Sequence, residues 1–206
     1  MVEIHRGTPI MANIDYYLFP LSPYTYLAGS KLEDIAEKHR ATITYKPVIL
    51  AKVFERTGGI ALADRHESRQ KYRLADIART ADAAGLKINP RPMSFPANPV
   101  PACTAIISAQ KAGGDVGALC RAILRAVWAE EKNVAEDEVV KECLSSCGFD
   151  PAVLDRGMLS AVDVLERNTH DAVEIGVFGA PSYVVGHEVF WGQDRLPLLD
   201  RFLATI

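Results

Sequence analysis

No two cysteines in this chain are separated by two residues. The four stand at positions 103, 120, 143 and 147, none with a histidine at metal-ligand spacing. A Cys-x-x-Cys dithiol and a zinc-type centre are thereby excluded as the organising chemistry, and no metal is expected. Reduced cysteines on helices act as small apolar residues, with only Cys143 and Cys147, one helical turn apart, in reserve as a redox pair. Runs of like charge are also missing: a net charge of -3 with interspersed signs leaves no basic stripe, so no nucleic-acid partner is expected. No apolar stretch approaches the roughly 20 residues of a membrane span, and Met1–Ala12 lacks the apolar segment of a signal peptide. The expectation is a cytoplasmic protein with no membrane partner. What is present suits a globular chain: 206 residues, 49% hydrophobic and 24% charged, room for one domain or one with a large insertion.

Met1–Pro9 reads as an extension before the first strand, and Met11 as an alternative start. Ile14–Phe19 has the length and content of a buried strand, and Ser22-Pro23 opens an amphipathic helix predicted to reach about Arg40. Ala41–Leu50 alternates and is rich in β-branched residues, a second strand with Pro47 at its end or on an edge. From Lys52 to about Gly176 the period is helical. Helices are predicted over His66–Ala84, with Tyr72, Ala75, Ile77, Ala78 and Ala81 facing inward, and over Ala102–Ala112, Val116–Glu130, Glu136–Cys147 and Pro151–Ile175, the last broken near Met158 or Asn168. Asp115, Glu136 and Asp150 are the candidate caps. Asn89–Pro101 holds five prolines in thirteen residues, a stiff extended loop. Ser182–Trp191 reads as a hairpin about Gly186-His187, and Gln193–Ile206 as a terminal helix.

The order is βαβ, an all-helical block, then ββα. That is the thioredoxin-like α/β arrangement with a large helical insertion: residues 13–52 and 177–206 form the thioredoxin-like domain, 53–176 the insertion, and 1–12 an N-terminal extension. Its first helix begins at Ser22, whose hydroxyl is an N-cap acceptor, and Pro23 suits the first helical position. A helix start of this kind favours an anion, and in thioredoxin-like folds it carries the reactive thiol. Ser22 and Thr25 put hydroxyls where both thiols would stand, so the chain cannot cycle a dithiol there but can hold another molecule's thiolate. At the far end Ala180-Pro181 precedes a strand, where an X-Pro bond is free to be cis and to face the helix-1 corner.

The stretches Ser22-Pro23-Tyr24-Thr25-Tyr26-Leu27-Ala28, Phe95-Pro96-Ala97-Asn98, Gly176-Val177-Phe178-Gly179-Ala180-Pro181 and Phe190-Trp191-Gly192-Gln193-Asp194-Arg195 resemble those of 2-hydroxychromene-2-carboxylate isomerases, relatives of kappa-class glutathione transferases. The resemblance implies a glutathione-dependent isomerase acting on a small aromatic hydroxy-acid, with a homodimeric assembly. By the same resemblance Ser22 activates the glutathione sulfur, Ala180 pairs with the tripeptide backbone, and Trp191, Gly192, Gln193 and Asp194 hold its γ-glutamyl end. The implied reaction is addition of the thiolate to the chromene, ring opening, rotation and expulsion of the thiolate. Substrate contacts implied are Arg65 and Asn98. A family lysine falls at Phe54 and an asparagine at Gly58-Gly59, so Lys52 or Arg56 is expected to supply the missing cation for a carboxylate. The alternatives are a kappa-like transferase, which releases the conjugate, and a thioredoxin-like binding module in which Ser22 is only a cap.

Overall fold

The computed structural model describes residues 11–206, so the expected extension lies, over its first ten residues, outside the described residues. Strand β1 (Asn13–Leu18) is followed by helices α1 (Pro23–Leu27) and α2 (Lys31–His39) and by strand β2 (Thr42–Pro47), which pairs parallel to β1. The chain returns to the sheet at β3 (Ser182–Val185) and β4 (Glu188–Trp191). β3 lies antiparallel on β1 and β4 antiparallel on β3, giving the order β2-β1-β3-β4. Between β2 and β3 run α3 (Leu50–Thr57), α4 (Glu67–Ala83), α5 (Val100–Ala112), α6 (Val116–Trp128), α7 (Asp137–Ser146) and α8 (Val153–Glu174), and α9 (Leu196–Leu203) follows β4. The first and last stretches of the chain thus share one sheet, as the sequence order predicts.

β1 is central because its residues are apolar on both faces: Ile14, Tyr16, Tyr17 and Leu18 are all buried. The Tyr16 ring stacks on Tyr183 of β3 at 5.2 Å and meets the edge of Tyr45 of β2 at 5.7 Å. Full burial of a side chain such as Ile14 or Leu18 contributes about 1.5–3 kcal/mol. β2 is an edge strand whose outer side is met by side chains of the helical block: Gln110 of α5 accepts from the Tyr45 amide at 2.7 Å and donates to the Tyr45 carbonyl at 3.2 Å. That pair binds the helical block to the sheet. Among the described residues no helix is long and apolar enough to cross a membrane.

Several expectations are corrected. The helix from Ser22 to Arg40 is two helices, because Gly29 takes φ +61° and the amides of Ala28 and Gly29 turn back only three residues. α8 has no break. Buried Asn168 donates to the Pro47 carbonyl at 3.3 Å, and the Thr169 hydroxyl donates to Leu165 while accepting from the Ile49 amide, so the residues that resembled a break tie α8 to the end of β2. On α4 the buried face runs through Ile77 and Ala81, but Tyr72 is 65% exposed and Ala78 is exposed too. Arg73 turns inward in Tyr72's place. Asp115 caps α6 through Ala118 at 2.8 Å as expected, whereas Glu136 makes no cap bond and the Asp150 side chain accepts from the Ala152 amide just ahead of α8. The terminal helix starts at Leu196, after a single tight turn over Gln193–Arg195.

The four cysteines are free. Cys103, Cys120 and Cys143 are buried, and burial pushes all three thiols up, Cys143 to about 11. They pack as apolar groups, and Cys147 is partly exposed.

Candidate active site

The site forms where the start of α1 meets the chain entering β3. Ser22 caps α1 because its extended backbone aims the hydroxyl at the Thr25 amide, 3.2 Å away, while Pro23 needs no partner for the amide it lacks. The same hydroxyl donates to the carbonyl of Ala180 at 3.2 Å, across 158 residues of sequence. Ala180-Pro181 is cis. Ser22 is 6% exposed and Thr25 2%, and the Thr25 hydroxyl oxygen is buried with no hydrogen-bond partner. One buried hydroxyl therefore joins the two motifs that the sequence sets at opposite ends of the chain.

The Trp191–Asp194 stretch comes beside them because Gly192 (φ +112°) turns the chain out of β4 and its amide donates to the Pro181 carbonyl at 2.9 Å. Trp191 is half exposed and meets Phe178 edge-on at 4.7 Å, leaving two aromatic rings at the rim. Gly179 has no room for a side chain, since a Cβ there would collide with the Trp191 indole nitrogen. Asp194 pairs with Arg195 at 2.5 Å and is itself exposed. The Gly192–Pro181 bond thus brings the Trp191–Asp194 stretch beside Ala180, which in turn meets Ser22.

The predicted residues of the helical block are scattered over α3, the turn before α4 and the loop before α5. Lys52 is exposed and pairs with Glu166 at 2.7 Å, and Arg56 pairs with Glu174 at 2.8 Å, so both cations carry partners of their own. Asn98 accepts from the Val100 amide at 3.1 Å at the start of α5. Arg65 donates through Nε to the Ile60 carbonyl and lies over the Phe54 ring at 5.9 Å, and that ring folds across Gly59. The Phe95-Pro96 bond in the proline-rich loop is also cis.

Two contributors escape sequence reasoning. Tyr24, two residues beyond Ser22, donates its hydroxyl to Asp76 of α4 at 3.0 Å, and burial, then that bond, pushes its phenol up to about 12. Arg73, on the same face of α4, places its guanidinium over the rings of Phe95 and Trp128. An acid and a base spaced three apart on a helix face, opposite an aromatic in the cap motif, were the available signals.

A four-stranded mixed sheet, a cis-proline facing the N-terminus of its first helix and a helical block between the two halves define a thioredoxin-like protein. The chain belongs to the DSBA-like thioredoxin domain family, matched over residues 13–204. It also belongs to the family of 2-hydroxychromene-2-carboxylate isomerases: it is 31% identical to the Pseudomonas putida protein of that name, over 94% of this chain and 95% of that one. A solved structure of such an isomerase superposes with a TM-score of 0.75 at 26% identity, covering 94% of this chain and 95% of the other. A glutathione S-transferase kappa 1 of Caenorhabditis elegans is 23% identical, over 95% of this chain and 92% of its own.

Proposed function

We propose that the protein is a glutathione-dependent isomerase of 2-hydroxychromene-2-carboxylate or a closely similar aromatic hydroxy-acid. The observation that carries this reading is the Ser22 hydroxyl, buried at a helix start and shared between the Thr25 amide and the Ala180 carbonyl. The kappa transferase relative supports glutathione, and the isomerase relatives support the reaction. The residues fit the tripeptide: the buried Thr25 hydroxyl oxygen lacks a partner, and Gly179 lets the Trp191 indole lie directly against the chain that leads into Ala180.

When bound, glutathione supplies a thiolate that adds reversibly to the conjugated substrate, permits ring opening and rotation, and leaves unchanged. The chain's own residues make that sulfur acidic. Ser22 has one proton, now given to Ala180. An amide N–H of an extended peptide taking the Ala180 carbonyl frees that proton to turn toward a sulfur, and a donated hydrogen bond favours the anion over a thiol whose ordinary pKa is about 8.5. The orphan Thr25 hydroxyl is a second donor at the same corner. Trp191, Gly192 and Gln193 would bound the γ-glutamyl end, and Asp194 would receive its ammonium beside Arg195. Arg65, Asn98 and Lys52 would contact the substrate, Lys52 by exchanging its bond to Glu166. On this reading residues 13–52 and 177–206 bind the thiol, residues 53–176 bind the substrate, and the protein is a cytoplasmic homodimer, which sedimentation of the purified chain checks.

The test is the ultraviolet thiolate absorbance of glutathione against pH, with the wild type and with Ser22→Ala. The wild type lowers the thiol pKa and the variant does not. An unshifted wild type overturns the glutathione reading. Product analysis then separates isomerase from transferase: glutathione left unconsumed means isomerase, and an accumulating conjugate means the kappa-like alternative.

A further inference from the structure

Arg73 is a cation without an acid. Its guanidinium carbon lies 5.8 Å from the Phe95 ring centre and 5.9 Å from that of Trp128, and no carboxylate pairs with it among the described residues. Burial sets it apart from the other cations of α3 and α4: Lys52, Arg56 and Lys71 each hold a glutamate in solvent, and Arg69 and Arg79, which pair with no carboxylate among the described residues, are exposed. Burial pulls the Arg73 guanidinium down from its ordinary value, yet arginine starts so high that it stays charged at neutral pH. A half-buried charge without a counter-ion is costly to maintain, and stacking on two rings offsets that cost only in part.

Its location is defined by Tyr24. That residue follows Ser22 by two positions, and its hydroxyl is held by Asp76, one turn beyond Arg73 on α4. Arg73 and Asp76 are three residues apart on one face of α4, so the Tyr24–Asp76 bond brings the Arg73 side of that helix against α1, two residues past Ser22. Asp76 is committed to Tyr24. Arg65 rests on Phe54 as Arg73 rests on Phe95 and Trp128, so the wall presents two forks cushioned by aromatic rings.

We propose that Arg73 determines substrate specificity by taking the carboxylate of a flat aromatic acid whose reacting end faces Ser22, with Arg65 as its neighbour. The proposal rests on the isomerase reading for the direction in which the substrate lies. The resemblance sets a family lysine at Phe54, and on this proposal Arg73 supplies from α4 the charge that a phenyl ring lacks. A guanidinium fork matches a carboxylate in two hydrogen bonds where an ammonium offers a point charge.

The experiment is calorimetric titration of chromone-2-carboxylate and of its methyl ester into the wild type, Arg73→Met and Arg73→Lys. The wild type binds the acid more tightly than the ester. Arg73→Met, which keeps an apolar stem on the two rings, weakens the acid roughly ten- to a hundredfold and leaves the ester unchanged, and Arg73→Lys falls between. Glutathione affinity is the same in all three. A wild type with no preference for the acid, or equal losses for acid and ester, overturns the assignment, because a purely structural role would weaken both alike. If Arg73→Met does not fold, the acid-to-ester ratio in Arg73→Lys decides alone. Failure of the isomerase reading shows elsewhere, as no turnover and no Ser22-dependent thiol shift in the wild type, and leaves the acid-to-ester comparison measurable.

Discussion

The two sides of the site are made in different ways. The thiol side is built mainly from backbone: a helix start at Ser22, the Ala180 carbonyl, and the Gly192 amide on Pro181. The helical side is built from long side chains that reach from separate elements, such as Arg73 of α4 over Phe95 of a loop and Trp128 of α6. Backbone groups are positioned by short motifs and tolerate little drift. Side-chain perches are set by packing and are free to be rebuilt, since each ring or fork can be replaced without moving the backbone beneath it. The lesson is that a backbone-built corner and a side-chain-built wall respond differently to substitution, the first through its motif and the second through its packing.

The largest expected effect that would break this contrast is in the helical block. Trp128 is fully buried, and Trp128→Ala should cost about 3–5 kcal/mol in urea denaturation. At low temperature, where the variant remains folded, the Ser22-dependent shift of the glutathione thiol should persist. Its loss would mean that the two sides are not separable. On the thiol side Gly179→Val drives a side chain into Trp191, with an expected cost of about 1–3 kcal/mol. Calorimetry should show weaker glutathione binding with affinity for the carboxylate probe retained. A smaller effect lies far from both: Asp115→Ala removes the α6 cap, and thermal melting should register about 1 kcal/mol with no change in either ligand.

The smallest concerns pH. Asp200 accepts from Lys38 at 2.8 Å and meets His39 Nε2 at 2.6 Å, and the Lys38 bond, then the His39 bond, holds its carboxyl below the ordinary carboxylate range. A folded-state pKa below the unfolded one contributes stability above the unfolded value, near 4, and loses it as pH falls through the folded value. The melting difference between wild type and Asp200→Asn should therefore be present at pH 7 and fade below pH 4, leaving both sides of the site untouched. A difference constant with pH would assign the effect to packing.

The element order, the parallel pairing of β1 with β2 and the meeting of Ser22 with Ala180 were readable because short motifs and periodicity specify them locally. Arg73 was not, since its inward turn depends on rings 22 and 55 positions away, and a charged residue on a helix is read as solvated until those rings are placed. Periodicity put Tyr72 inside by counting apolar residues, one position away from the face that packing chose. Gly29 was invisible for a related reason: a single glycine between two amphipathic segments in phase leaves the pattern intact. Asn168 reads as a helix breaker until the Pro47 carbonyl stands close enough to accept from it, and nothing interrupts α8 at Met158.

The Gln110 amide on the edge of β2 bears on motion. It substitutes for a fifth strand at one residue, so swinging the helical block outward would strip the Tyr45 amide and carbonyl of their partners together. Any outward swing of the helical block would therefore break that seam along with the Tyr24–Asp76 bond that ties α4 to α1. Gln110→Ala would loosen the binding and expose a bare strand edge, so the same substitution that lets the cleft gape would also invite copies of the chain to stick.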